Sequence, residues 1–430
     1  MSTSALSIAV SALRAHSYAI ETTSHNIANA GTAGFRRQRV DMAAAAPRVG
    51  AMGLMGAGVE ARTISRATDR LADLRARGAS GQAAFASVRA DIAAMSEVVF
   101  GEPDDGINTS LSGMWESFST LALRPSDSAA RYQVMAGLND VASRVNDVRG
   151  GLARLSDDAM VRLGSEVQEA NALMERVVEL NGLARDANGM PADLADERDR
   201  TIDRLSTLLG ARADVEDDGR VRVFVNGITI VEGNRFSELS VSGTPVGQVN
   251  HPSGPMTFGG SIGGTQTALT VDIANQRGQL DSFVSGLVSA LNSTHATGYT
   301  PGGATGGPLL TDAGGVLTVA VASTADIAAS DIPNGVQNGR VADALAQLRD
   351  GQGGAFRAVV TSLSGMVAAL GRSADTANSV ADSALLDRES ITGVNLDEEM
   401  TNLVGQQRAY EAAARIVTVV DEMLRTLIQM

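Results

Sequence analysis

The chain contains no cysteine and no lysine; all 35 of its basic side chains are arginine. Without thiols there is no disulfide, thiolate metal site or cysteine nucleophile, although a cysteine-free chain suits either redox compartment. Without lysine there is no Schiff-base chemistry and no P-loop lysine. Aromatics are 3% of residues while hydrophobics are 44%, so the apolar content is mostly Ala, Leu, Val and Ile. That composition suits long helices in small-residue contact better than aromatic-lined pockets. The four histidines, His16, His25, His251 and His295, include no pair three or four apart, which excludes a helical two-histidine metal site and the HExxH motif. No run of about 18 apolar residues offers a membrane span, and the first residues lack the basic segment and apolar block of a secretory signal. Any exit from the cell is expected to use another route.

What is present is length and acidity. The 430 residues allow two or three domains with at least one sizeable core. A net charge of −14 argues against nucleic acid, where basic patches must neutralise phosphates. The charge is uneven: residues 1–100 carry 11 arginines against 7 acids, net +4, and the remainder is net −18. Such polarity can orient like subunits, but a solvated charged face is the simpler account of it.

The two ends share a pattern. From Ser4 to about Ala28 runs a helix without Pro or Gly, in which Leu6, Leu13, Ile20 and Ile27 recur every seven residues with Val10 beside them. Asn29 and Gly31 supply a helix exit. At the far end Leu396, Leu403, Tyr410, Val417 and Leu424 repeat at seven, Met400, Ala414 and Ile428 join them, and Asp397, Glu398 and Glu399 sit where the helix dipole favours acids. Helices roughly 35–50 Å long with so narrow an apolar seam must bury it elsewhere, on the opposite terminus, on a neighbouring subunit or on the body of the domain.

Between the ends, "GAGVEARTISRATD" alternates Val59, Ala61 and Thr63 as a strand and leads into a helix over about 66–99. Helical periodicity dominates 111–209, with breaks at Pro125, capped by Ser126 or Asp127, and at Asn188–Pro191. The period then becomes two: Val221, Val223 and Val225 alternate, Asn226-Gly227 signals a hairpin, and Ile228 and Ile230 return. Helix is expected again over 272–292, a Gly- and Thr-rich loop over 296–315, a strand over 316–321 and a helix over about 355–383.

Three constellations imitate chemistry. Asp214 to Gly219, "DVEDDG", opens like a calcium loop, but its twelfth position is Val225 where a bidentate Glu is required. "GGSIG", Gly259–Gly263, matches a nucleophile elbow at Ser261 with Asp281 and His295 following in hydrolase order; the glycines and Pro252 and Pro255 read instead as a flexible link. "GLMGAG", Gly53–Gly58, has the wrong glycine order for a dinucleotide fingerprint and reads as a turn. No catalytic, cofactor-binding or metal residue is expected.

The segments Ser4–Val40, "SALSIAVSALRAHSYAIETTSHNIANAGTAGFRRQRV", and Gly393–Met430, "GVNLDEEMTNLVGQQRAYEAAARIVTVVDEMLRTLIQM", resemble the ends of the flagellar hook-associated protein 1 family of hook–filament junction proteins. "GAGVEARTISRATDRLADLR", "RPSDSAARYQVM" and "DLADERDRTIDRLSTLLG" resemble its body segments in the right order. The Asn-Ile-Ala-Asn pattern is shared by rod, hook and junction proteins; the C-terminal segment with the body motifs discriminates better. "AGTAGFRRQ" departs from the family's usual Asn-Thr-Pro-Gly-Tyr type of turn, and the insertion after Gly210 is too short for the extra outer domain of many members, which predicts a slimmer subunit.

The resemblance implies a mainly α fold with a small β insertion: coiled-coil helices at 1–35 and 394–430 forming an inner domain, a helical-bundle body at 36–210 and 263–393, and a small β-rich outer domain at 211–262. It implies a non-enzymatic, extracellular subunit exported unfolded through the flagellar channel and built into one ring or helical turn of copies. Its implied partners are further copies, hook protein, the second hook-associated junction protein, an export chaperone and the export apparatus, with no nucleic acid and no membrane. The assembly seam would be Leu6, Val10, Leu13, Ile20, Ile27, Leu396, Met400, Leu403, Tyr410, Val417, Leu424 and Ile428. Asn29, Gly31, Gly34, Arg36, Arg37 and Arg39 would form the hinge and subunit-contact linker. Competing readings are another flagellar axial protein (rod or flagellin-like), a Ser261 hydrolase, and a surface-binding module built on the β unit.

Overall fold

Heptad and 3.6-residue patterning in this sequence produces long helices, and the computed structural model, which describes residues 2–50, 53–101, 106–184 and 190–429, is mainly helical with small antiparallel sheets. In chain order come α1 (Ser2–Ala28), β1 (Gln38–Ala44), β2 (Arg48–Gly50), β3 (Gly53–Met55), β4 (Val59–Arg66), α2 (Arg70–Phe100), α3 (Ile107–Leu123), α4 (Ser128–Leu183) and α5 (Ala192–Leu209). Strands β5 (Arg212–Val215), β6 (Val221–Val225), β7 (Ile228–Glu232), β8 (Arg235–Phe236), β9 (Ser240–Ser242), β10 (Gln248–His251) and β11 (Gly254–Met256) follow. The chain ends with α6 (Gly260–Thr267), α7 (Ile273–His295), β12 (Leu310–Ala313), β13 (Val316–Val319), α8 (Arg340–Thr392) and α9 (Leu396–Gln429).

Local chemistry explains most boundaries. Asp69 Oδ1 accepts from Leu71 N and Ala72 N at 2.8 and 2.9 Å to start α2, and Asp127 Oδ1 accepts from Ala129 N at 2.8 Å to start α4. Asn226 (φ 50°) and Gly227 (φ 83°) both adopt left-handed backbone, the type I′ turn that joins β6 to β7. The expected break at Asn188-Gly189 lies outside the described residues.

Three expectations are corrected. The "GGSIG" segment is not a flexible link: α6 begins at Gly260 and continues through a π turn (Ala268–Asp272) into α7, so helix starts 12 residues before the expected Asp272. Helix α8 begins at Arg340 and runs through Gly351, Gly353 and Gly354, because Val341, Ala342, Leu345 and Phe356 are buried and packing outweighs glycine's poor propensity. Strands β1, β2, β3 and β12 went unread. In β1 no alternating face is buried, and it persists through its ladder with β4, from Gln38↔Arg66 to Ala44↔Val59 with a bulge at Asp41/Met42, and through packing on α1.

The chain forms two compact units. The first comprises Met1–Gly81, Ala170–Ser237 and Ser379–Met430. In it α1 packs along α9 and against β1 and β4, while β5–β6–β7–β8 make a four-stranded antiparallel sheet. Buried Asn181 ties the end of α4 to that sheet, donating to Val221 O and accepting from Val221 N. The second unit comprises Gln82–Glu169 and Glu238–Asn378. Its core gathers Trp115 and Phe118 of α3, Leu138 and Val145 of α4, Phe283 and Leu287 of α7, and Phe356 and Leu363 of α8. Strands β11–β10–β9 and the β12–β13 hairpin belong to it. The stretch 211–262 thus carries two sheets, one in each unit. By length and composition alone, one helical stretch between Arg340 and Thr426 would pass as membrane-crossing; α8 nevertheless buries Phe356 and Leu363 in a protein core.

Candidate functional site

The hydrolase constellation does not assemble. Ser261 lies at the start of α6 and His295 at the end of α7, about 34 residues farther along one helical run, which at 1.5 Å each is about 50 Å. Asp281 is held by Arg149 at 2.7 Å, and His295 is committed to the backbone, donating from Nδ1 to Gly307 O and accepting at Nε2 from Ala328 N. The calcium-like run is equally occupied: Asp214 pairs with Arg70 at 2.6 Å and Val225 is buried on β6.

The informative region is where the terminal helices meet their linker. Small and polar side chains make the buried face of α1: Ala9, Ala15, Ala19, Thr22, Thr23 and Asn26. On α9 the buried residues are Glu399, Ala413 and Val420. Of the expected seam, Leu6, Val10, Leu13, Ile20 and Ile27 are half-buried, as are Leu403, Val417 and Leu424, whereas Leu396, Met400 and Tyr410 are exposed; the side chain of Ile428 lies outside the described residues. A strict seven-residue repeat drifts about 20° per heptad on a straight α-helix and does not mark one buried face here: exposed Leu396 and Tyr410 flank half-buried Leu403 along the α9 repeat.

Asn26 organises the junction between helix and linker. Its Nδ2 donates to Gln38 O at 2.8 Å and to Glu399 Oε2 at 2.9 Å, and its Oδ1 accepts from Gln38 N at 2.9 Å. Asn29 closes α1 by donating from both N and Nδ2 to His25 O. Gly31 has open space around it, but Gly34 sits at φ +74°, where an added Cβ would come within 2.6 Å of Arg200 Cγ.

The three linker arginines have different surroundings. Arg39 is exposed and its side chain pairs with Asp41. Arg37 holds the start of α9, with Nε 2.8 Å from Glu399 Oε1 and Nη1 3.0 Å from Glu398 Oε2. Arg36 is buried and forks onto Asp73 at 2.7 and 2.9 Å, with Asp199 at 3.4 Å. Arg66 pairs with Asp196 and Asp199, Arg77 with Asp199 and Asp203, and Arg388 with Asp203. One ionic network therefore joins the linker, β4, α2, α5 and α8 within the first unit.

Burial would raise the Asp199 carboxyl, but the fields of Arg36, Arg66 and Arg77 hold it below the usual carboxylate range. At Asp196 burial prevails and the carboxyl is raised despite Arg66 and Arg36. Arg36 and Arg77, which burial alone would lower, are raised by their aspartates. Asp196, Asp199 and Asp203 were missed by the sequence reading, although their i, i+3, i+7 spacing in "ADERDRTIDR" places them on one helical face. Asn26 opens the Asn-Ile-Ala-Asn pattern and Glu399 lies among the acids at the start of α9, but their pairing, 373 positions apart, has no counterpart in local spacing.

Comparison with known proteins follows this architecture. Residues 93–310 match the family model of the flagellar hook-associated protein FlgK helical domain. Residues 6–36 match flagella basal body rod proteins and residues 389–430 the C-terminal segment of the flagellar basal body rod FlgEFG proteins. Flagellar hook-associated protein 1 of Bacillus subtilis is 27% identical, over 97% of this chain and 96% of that one. Its Salmonella typhimurium counterpart is 26% identical over 68% of this chain, which spans 56% of that relative's length. The flagellar hook junction protein FlgK of Burkholderia pseudomallei shares the fold with a TM-score of 0.51 at 22% identity, over 56% of this chain and 47% of that one.

Proposed function

This chain belongs to the FlgK family of flagellar hook-associated proteins, and from that premise we propose that α1 and α9 form the layer through which its copies assemble at the flagellar hook–filament junction. The protein is a structural component rather than an enzyme. The match over 93–310 favours the junction role over other axial proteins, because the two ends alone resemble rod proteins as well.

The observation that carries the reading is the apolar surface left on α9 after α1 has packed against it. Leu396, Met400, Ile416, Val419 and Met423 are each 49–53% exposed. Leu396 and Met400 are four apart, and Ile416, Val419 and Met423 follow at three and four, so they form two short stripes. A lone pair of helices leaves both stripes wet; neighbouring copies would cover them. The finer scheme follows from this. Terminal helices 1–35 and 394–430 make an inner coiled coil, segments 36–210 and 263–393 form the body, and the two sheets of 211–262 are carried on that body rather than forming a domain of their own. The seam residues Leu6 to Ile27 and Leu396 to Ile428 meet other copies, and the segment Asn29–Arg39 links the layers. The subunit reaches its extracellular position through the flagellar export apparatus with a chaperone, and contacts hook protein on one side and the second junction protein on the other.

Hydrogen exchange tests this directly. In soluble monomer, amides of 4–28 and 396–428 should exchange far faster than those of α4, and become protected once the protein is assembled on isolated hooks. Equal protection of the termini and α4 in the monomer, unchanged on assembly, would overturn the proposal.

A further inference from the structure

Beside the ionic network of the first unit lies a cavity of about 190 Å³, lined by Arg36, Arg66, Arg70, Arg77 and Arg198 with only Asp73 and Asp199. In a chain of net charge −14, the lining of this one small space carries five arginines against two carboxylates. Four of the five have carboxylate partners: Arg36 has Asp73, Arg66 has Asp196, Arg77 has Asp203 and Arg70 has Asp214. Arg198 has none among the described residues. It is 8% exposed, and its Nη1 donates to Gly219 O at 2.8 Å. Nε is buried without a partner. Burial pulls its pKa down, and the like charges of Arg66 and Arg77 oppose the help it receives from Asp199. Arginine does not give up its proton, so a full positive charge is held here with Asp199 near but no carboxylate paired to it directly, which is costly in a poorly solvated place.

We propose that this cavity is a binding site for a small tetrahedral oxyanion, phosphate or sulfate in class, with Arg198 as its main charged contact and Arg70 at its rim. The volume equals that of several waters at about 30 Å³ each in the liquid, enough for such an ion with part of its hydration. Guanidinium donors suit oxyanions because their planar forks meet pairs of oxygens. Arg70, whose side chain is 75% exposed, can turn toward an incoming ion without disturbing the interior.

The test uses the full chain. Inorganic phosphate is titrated by calorimetry and by phosphorus NMR line width, and thermal unfolding is followed in phosphate and in chloride at matched ionic strength. The wild-type protein should bind phosphate saturably and melt higher in phosphate than in chloride. Arg198→Gln should weaken binding by about tenfold or more, as loss of a charge-assisted bond does, and abolish the difference between the two salts. Arg70→Gln, at an exposed position that the fold tolerates, should weaken binding by roughly threefold to tenfold and decides the matter if the Arg198 variant does not fold. Arg39→Gln, exposed and away from the cavity lining, should behave as wild type. Absence of saturable binding, or binding unchanged in Arg70→Gln together with Arg198→Gln, would overturn the site.

Discussion

Both units bury apolar side chains, among them Trp115, Phe118, Leu138 and Phe356 in the second and Val177, Leu205, Val223 and Val231 in the first, but the interior of the first also holds Arg36, Arg77, Asp73 and Asp196. The apolar core is non-directional and tolerates sliding, since its stabilisation follows the area removed from water. Charged groups in an interior must instead meet a particular partner at a particular distance, because a buried charge left alone is strongly unfavourable. The second unit is therefore specified mainly by volume, and the first by pairing as well as by volume. That fits the tasks of the two regions: the first unit must bring together three stretches of chain far apart in sequence and present the terminal helices in one defined position relative to their linker.

The largest test of this comparison removes one residue from each interior. Phe356→Ala should destabilise the second unit by about 3–5 kcal/mol, the range for emptying a buried aromatic site. Arg36→Ala should cost the first unit about 3–5 kcal/mol, because Asp73 and Asp199 lose a buried counter-charge. Native-state hydrogen exchange resolved by segment reads both: protection should fall over 170–184 and 192–209 for Arg36→Ala, and over 107–123 and 273–295 for Phe356→Ala. Identical exchange patterns for the two variants would show that the units do not differ in this way.

A sharper and smaller test lies in the linker. Gly34→Ala forces a side chain into left-handed backbone and against Arg200, at roughly 1–2 kcal/mol for the conformation alone. Gly31→Ala meets open space and should change stability by no more than about 0.5 kcal/mol. Urea midpoints of the two variants measure the difference. Equal effects would mean that the linker is loose and the turn at Gly34 unimportant.

How far the sequence disclosed this arrangement depends on whether a feature is local. Helix periodicity, the Asn226-Gly227 hairpin and the Asp127 cap are local, and each appears where the residues placed it. Strand β1 was invisible because its stability comes from β4, more than a dozen residues away. Helix α8 begins 15 residues before the expected 355, because the cost of its glycines is local whereas the compensation comes from Phe356 and Leu345 packed in the core. At the site, the heptads marked the two terminal helices, but not that the buried face of α1 is made of Ala9, Ala15 and Ala19. The arginines of the linker were conspicuous. The partners of Arg36 and Arg37, Asp73 on α2, Asp199 on α5 and Glu398 and Glu399 on α9, became meaningful only once the chain had folded.

The mildest way to separate the two interiors is pH, because each contains a buried titratable group with a different threshold. In the second unit His295 is neutral: Nδ1–H donates to Gly307 O and Nε2 accepts from Ala328 N. Burial pulls its pKa below 6.5, with the bond to Gly307 acting against this and Arg131 acting with it. Below pH 6.5 the unfolded chain therefore takes up a proton that the folded unit refuses, and stability falls as pH is lowered until the folded pKa is passed. In the first unit the depressed Asp199 carboxyl contributes stability that is complete above 3.8, its ordinary value, and lost only as pH falls below that through the folded pKa. Between about pH 6.5 and 4.5 the second unit should thus weaken while the Asp199 contribution in the first stays intact. Segment-resolved exchange, corrected for the intrinsic rate at each pH, should show protection declining over 273–295 before it declines over 192–209. His295→Gln, which keeps a donor and an acceptor without titrating, should remove the earlier decline. If that variant retained the full pH dependence of the second unit, His295 would not be the group responsible.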